Sequence, residues 1–303
     1  MVISTVLGKI ISIFIIMAVG IICYKLDIID NHAKDKLSQL STWIVCPMLI
    51  FMSFQMAYDG ELLKKMGIVF VLAILSFVVS IILANIFLME IEGYDLAVER
   101  FGVIFTNCGF IGIPLGNALF GNIGVIYATL FVATFHIFCW TYGISILDKG
   151  KFQLKKIINP CLIAVCLGIL CFIFQIKLPS NIGYALSSIS DMNTPLAMLI
   201  SGVVMAQLDL KATLKKLAKG RLLFVILLRG LISPAVFAFM LRFMPIDEQM
   251  RIVSAMTAAC PTGAFTITLS ILYGRDDHYG TEILCMSTLL SIVTIPLCMM
   301  IAG

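Results

Sequence analysis

FTNCGFIGIPLGNALFG, residues 105–121, breaks an apolar run that is otherwise long enough to cross a membrane. Gly109 and Gly112 weaken a helix here, and Pro114 removes a backbone donor and clashes with the turn before it. A similar break, AACPTGAFTITLSILYG, occupies residues 258–274. Pro114 and Pro261 are 147 residues apart, and a second pair, Pro47 in WIVCPMLIF and Pro195 in DMNTPLAMLI, is 148 apart. Two proline-marked segments keeping one offset indicate an internal duplication. A paired, Gly/Pro-interrupted membrane segment is the best sequence pointer to a transporter's binding site.

Composition agrees with a membrane setting. Apolar residues make up 61% of the chain and charged residues 13%, with a mean hydropathy of +1.08. A soluble domain carries about 25% charged residues. The net charge of +4 does not signal a nucleic-acid partner, because the Lys and Arg fall in short connections between apolar runs. The opening MVISTVLGKIISIFIIMAVGIICYKL has no positive region ahead of its apolar stretch, so it reads as a first span and not a removable signal. Ten cysteines fall almost entirely in apolar runs. Cys161, Cys166 and Cys171 are five apart, which is not a metal spacing, so they read as packing residues.

The chain divides into ten expected spans, near 4–24, 36–56, 66–89, 96–120, 123–146, 157–176, 182–207, 221–243, 250–273 and 280–302. Each has roughly the 20 residues a helix needs to cross the hydrocarbon. The longest connections are 148–156 and 208–221. With the N-terminus outside, fourteen Lys and Arg face the cytoplasm and six face out, so the positive-inside rule puts both termini outside. The offset maps span two onto seven and span four onto nine. The expected fold is therefore all-α and membrane-embedded, with five-span repeats at 1–147 and 157–303 joined by a short cytoplasmic linker at 148–156. An odd number of spans turns the second repeat upside down, the arrangement that underlies alternating access around a midplane site.

Each break is expected to start a second half-helix at its proline, Pro114 in span four and Pro261 in span nine. Free N–H groups and a partial positive charge would then point at the membrane centre from both sides. Such a site attracts an anion, and a carboxylate is the simplest. Asn107 offers a side-chain donor and Thr262 a hydroxyl. The substrate-binding candidates are thus Asn107, Cys108, Gly109, Gly112 and Pro114 from one break, with Pro261, Thr262 and Gly263 from the other. The bland alternative is that Gly and Pro only kink packed helices, with Gly112 and Gly116 as a close-packing face.

These motifs carry a resemblance. NCGFIGIPL, residues 107–115, resembles the fourth-span crossover of the auxin efflux carrier family, which includes plant auxin exporters and bacterial permeases for malate, malonate and similar acids. SSISDMNTPLAMLISGVVMAQ (187–207), RGLISPAV (229–236) and ACPTG (259–263) are similar to its seventh, eighth and ninth spans. The plant exporters have a long loop after span five. Here that loop is about nine residues, which points to a bacterial-type permease in the inner membrane. The resemblance implies a support domain of spans one, two, six and seven and a transport domain of spans three to five and eight to ten. It also implies a homodimer through the support spans, substrate contact by Asn107, and crossover prolines at Pro114 and Pro261.

Ionisable residues inside spans are functional candidates by default. Asp191 lies about ten residues into span seven and Arg229 about nine into span eight, both near the midplane. Asp191, followed by Asn193, Thr194 and Pro195, fits coupling or charge compensation, or else a structural bond at a helix break. Arg229 fits neutralisation of an anion, pairing with Asp191, or bonding to carbonyls freed by Pro234. His136 fits a proton relay or a packed neutral imidazole. No cofactor is expected; coupling to H+, coupling to Na+ and uniport all stay open. An enzyme is disfavoured, because H-E-x-x-H and paired carboxylates in adjacent spans are absent and the histidines, at 32, 136 and 278, are far apart. The expected function is secondary transport of a small organic anion, with an anion channel or ligand-gated sensor as the rival.

Overall fold

The computed structural model describes residues 2–148 and 160–303, so the linker beyond Asp148 lies outside the described residues. The architecture is all-helical, with no strand among the described residues. In chain order the helices are α1 (Val2–Lys25), α2 (Asn31–Leu40), α3 (Cys46–Ser53), α4 (Gly60–Phe87), α5 (Leu96–Ile104), α6 (Ile113–Phe138) and α7 (Ile144–Leu147). After the undescribed segment come α8 (Pro160–Phe174), α9 (Ser180–Ser190), α10 (Asn193–Ala206), α11 (Leu210–Ala218), α12 (Arg221–Leu227), α13 (Ser233–Arg242), α14 (Glu248–Ala258), α15 (Phe265–Leu272) and α16 (Asp277–Ala302).

Aspartates mark several of the helix starts. Asp59, Asp95, Asp247 and Asp276 cap α4, α5, α14 and α16, each carboxylate accepting from backbone N–H groups of the first turn. Prolines mark widened turns. Pro47, Pro114 and Pro234 each stand one residue into a helix that continues directly from a π-helical turn, at Ser41–Val45, Cys108–Gly112 and Leu228–Ile232. A proline ring collides with the carbonyl one turn back, and the wider turn gives that carbonyl room without ending the helix.

Five stretches are long and apolar enough to cross a membrane: Gly60–Phe87, Cys108–Leu147, Ser180–Ala206, Arg221–Arg242 and Asp277–Ala302. Ile11–Lys25 and Pro160–Phe174 are apolar but shorter. The chain is thus a multi-pass membrane protein. The expected spans at 96–120 and 250–273 are each split, one between Ile104 and Cys108 and the other between Ala258 and Phe265. Cys108–Leu147 is not one straight rod. Gly121 has φ +55°, and a Cβ on Gly116 would lie 2.6 Å from the carbonyl oxygen of Gly124. Eight residues of straight helix would put those backbones about 12 Å apart, so the chain doubles back at Gly121. Gly116 therefore packs within its own hairpin, while Gly112 faces Thr257 of α14 and Cys260 of the other break.

Two further features differ from expectation. The connection 208–221 contains a helix, α11, where only a loop is expected, because LKATLKKLA has helix-forming residues throughout. Asp191 forms the cap between α9 and α10 and is exposed on the protein surface.

Candidate functional site

The two breaks meet. Thr106 and Thr262 form an isolated antiparallel bridge, in which the Asn107 N–H donates to the Pro261 carbonyl at 2.7 Å and the Gly263 N–H to the Phe105 carbonyl at 2.8 Å. Both threonine hydroxyls reach across to the opposite helix. Thr106 donates to the Thr257 carbonyl at 3.2 Å and Thr262 to the Gly102 carbonyl at 2.9 Å. Unwound backbone is tolerated at membrane depth only where its polar groups find partners in the protein. Here each break supplies the partners of the other.

This geometry revises the proline argument. Pro261 lies in the extended crossing, four residues ahead of α15, and its carbonyl accepts from Asn107. Pro114 lies inside a continuous helix whose free end is at Asn107. The two prolines are therefore not equivalent positions, and neither starts a half-helix at its break. The matching residues are the two threonines.

The half-helix ends are treated unequally. Asn107 caps the start of the long helix, its side-chain oxygen accepting from the Phe110 N–H at 3.3 Å. Its amide nitrogen has no hydrogen-bond partner among the described residues, and the N–H groups of Cys108 and Gly109 face only the sulfur of Cys108, a weak acceptor. A Cβ on Gly109 would meet nothing within 4 Å, so the backbone is open there. The carbonyl ends are satisfied by Arg229. Its side chain is 1% exposed, and its guanidinium donates to the carbonyls of Val103 at 3.0 Å, Cys260 at 3.1 Å and Ala258. Val103 lies in the last turn of α5, and Ala258 ends α14. One cation thus neutralises the negative ends of both first half-helices. Of the three expected roles, Arg229 takes the carbonyl-bonding one, but the carbonyls are freed by the breaks and not by Pro234.

A small cavity lies where the opposite ends converge. It is lined by Asn107 and Phe110, by Ile200, Ser201 and Val204 of α10, by Ala264, and by Leu284 and Thr288 of α16. Asn107 and Ala264 are the capping residues of the two second half-helices. The volume, about 20 Å³, holds about one water.

The expected candidates separate into groups. Asn107 lines the cavity, with Cys108 and Gly109 on the adjoining backbone. Pro261, Thr262 and Gly263 build the bridge, and the Thr262 hydroxyl is already committed to Gly102. Gly112 and Pro114 shape the helix behind Asn107. Asn193 is 1% exposed with neither amide atom hydrogen-bonded, on the same α10 face as Ile200, Ser201 and Val204. His136 is buried against Phe135 and Phe265. Phe110, Ser201, Ala264 and Thr288 line the cavity without having been among the expected candidates. Ser201 and Thr288 carried a usable signal, as hydroxyls within apolar spans.

A second polar cluster lies at the start of α5 and α16. Glu99, fully buried, is held by the Arg221 guanidinium and accepts from the Tyr279 hydroxyl at 2.8 Å. It fastens the beginning of α12 to α5 and α16.

Sequence comparison places the chain among membrane transport proteins. It matches the family described as membrane transport protein over residues 5–151 and 149–299. An uncharacterized transporter of Methanocaldococcus jannaschii is 25% identical over 295 residues, covering 88% of this chain and 89% of its own. Another, from Methanothermobacter thermautotrophicus, is 23% identical over 301 residues, covering 95% of each.

Proposed function

Because the chain belongs to the membrane transport protein family, we propose that it is a secondary transporter of small organic anions, working by alternating access. The observation that carries this is the asymmetry at the two breaks. Arg229 neutralises the carbonyl ends of both, while the capping residues of both N–H ends, Asn107 and Ala264, line one cavity. Two partial positive charges with free donors suit a carboxylate. Asn107 would donate through its amide nitrogen, and Ser201 and Thr288 would contribute hydroxyls. The remaining lining, Phe110, Ile200, Val204 and Leu284, is apolar and would face the carbon skeleton of malonate, malate or an auxin-like acid once the site, which here holds about one water, widens.

The fold behind this reading is a pair of inverted five-span repeats, crossing where Thr106 meets Thr262. Spans one, two, six and seven form the support, and spans three to five with eight to ten form the moving part. The cavity lies between α10 of the support and the broken helices and α16 of the moving part, so displacement of one against the other would open it to either side. Its lining is an amide, two hydroxyls and apolar groups, so a coupled proton would travel on the carboxyl group of the cargo. The exposed Asp191 belongs in this reading to the support surface, which a second copy would cover in a homodimer in the cell membrane, with both termini outside. A thermal-shift screen of small mono- and dicarboxylates, with and without sodium and across pH, tests the cargo class. Stabilisation by carboxylates but not by matched amides supports it, and no stabilisation by any carboxylate counts against it.

A further inference from the structure

The connection between α10 and α12 carries Lys211, Lys215, Lys216 and Lys219 within a few residues of one another. Lys216 is fastened to the protein: its Nζ bonds Glu282 at 2.8 Å and lies 5.5 Å from the Tyr279 ring centre. Thr213, on the same side of α11, donates to Glu282 at 3.4 Å. These contacts dock one side of the helix against the start of α16. The rest of α11 is differently made. Leu210 and Leu214, one turn apart, are 54% and 53% exposed. Beside them run Lys211, Lys215 and Lys219, all exposed and none paired with an acid among the described residues. At about 100° per residue the two leucines fall between the docked side and the lysine stripe.

The location fixes what can cover this face. The stretches before and after α11, Ser180–Ala206 and Arg221–Arg242, are both long and apolar enough to cross a membrane. The joining segments, 207–209 and 219–220, can extend about 3.5 Å per residue, which keeps α11 within about 10 Å of the ends of both stretches. An amphipathic helix with leucines on one side and lysines beside them, tethered at that distance, matches an interfacial helix. We propose that α11 lies in the membrane interface and binds anionic phospholipid headgroups through Lys211, Lys215 and Lys219, with Leu210 and Leu214 in the acyl boundary. The opposite face, through Lys216 and Thr213, ties that contact to α16, one of the cavity walls. The proposal is independent of the cargo and of which leaflet is involved.

Hydrogen–deuterium exchange of the full chain in lipid nanodiscs tests it. Residues 208–220 of the wild type should exchange more slowly when phosphatidylglycerol is added to phosphatidylcholine. Each lysine replaced by glutamine should weaken the association on the order of fivefold. The K211Q/K215Q/K219Q variant should therefore lose the phosphatidylglycerol-dependent protection while keeping the wild-type unfolding midpoint, because all three side chains are exposed. Equal wild-type exchange in both bilayers would overturn the proposal. So would phosphatidylglycerol-dependent protection that survives the triple substitution, or equal protection by soluble glycerol phosphate in detergent.

Discussion

Arg229→Met is the most informative single change. It retains an unbranched apolar stem and removes every donor. Three carbonyls, of Val103, Ala258 and Cys260, then face a dry interior without a partner. Hydrogen bonds to charged groups contribute about 1.5–3 kcal/mol each in soluble proteins, while interhelical bonds in membranes average nearer ~0.6 and reach ~1.7. On the membrane scale, the loss of all three should cost about 2–5 kcal/mol. Arg229→Lys keeps the charge but not the fork, and should recover roughly half, because an ammonium cannot span three diverging acceptors. The assay is an SDS-induced unfolding curve of the purified protein, with anion affinity measured on the folded fraction. The order of midpoints should be wild type, then Lys, then Met. A Met variant as stable as wild type would refute the role of Arg229 as the pin of the two breaks. Normal stability with lost affinity would instead make Arg229 a ligand of the cargo.

Other consequences follow from particular contacts. Asn107→Ala removes both the helix cap and the free amide donor, and should weaken carboxylate binding by about 10–100-fold, read by calorimetry. Gly116→Leu and Gly124→Leu should each fail to give folded protein, because a Cβ at either site falls within 2.6 Å of a backbone oxygen, whereas Gly109→Ala should leave the unfolding midpoint near wild type. Glu99→Gln leaves Arg221 without its charged partner and should destabilise by about 3–5 kcal/mol, and adding Arg221→Met should restore part of that in a double-mutant cycle. Asp191→Asn should leave carboxylate affinity and its pH profile unchanged, since the side chain lies on the surface and outside the cavity lining.

The breaks were legible because glycine and proline report backbone directly. NCGFIGIP and ACPTG stand out in any apolar run. Their pairing was only half legible. Matching proline to proline looks natural, yet a proline can sit inside a helix where a π turn makes room for it, as Pro114 does, or in extended chain, as Pro261 does. The residues that meet are threonines, and no local pattern distinguishes them from the other hydroxyls of the spans. Burial was hidden for the same reason. Asp191 and Arg229 lie at similar depths along their spans, but a helix has an inner and an outer face, and a run that is apolar all round does not say which is which. That Arg229 turns inward to the carbonyls of Val103, Ala258 and Cys260 is impossible to read from RGLISPAV alone, because those partners lie far along the chain. The cavity walls on α10 and α16 were missed because their contribution depends on packing between distant helices, not on spacing within one.

In the proposed cycle a small carboxylate occupies the space between Asn107, Ala264, Ser201 and Thr288 and is carried across. Counterflow of a labelled carboxylate, chosen from the stabilising compounds, into preloaded proteoliposomes tests this most directly. Saturable counterflow is expected in the wild type, and its loss in Asn107→Ala protein that is inserted and folded. Flux that never saturates, or counterflow undiminished by that substitution, would contradict it.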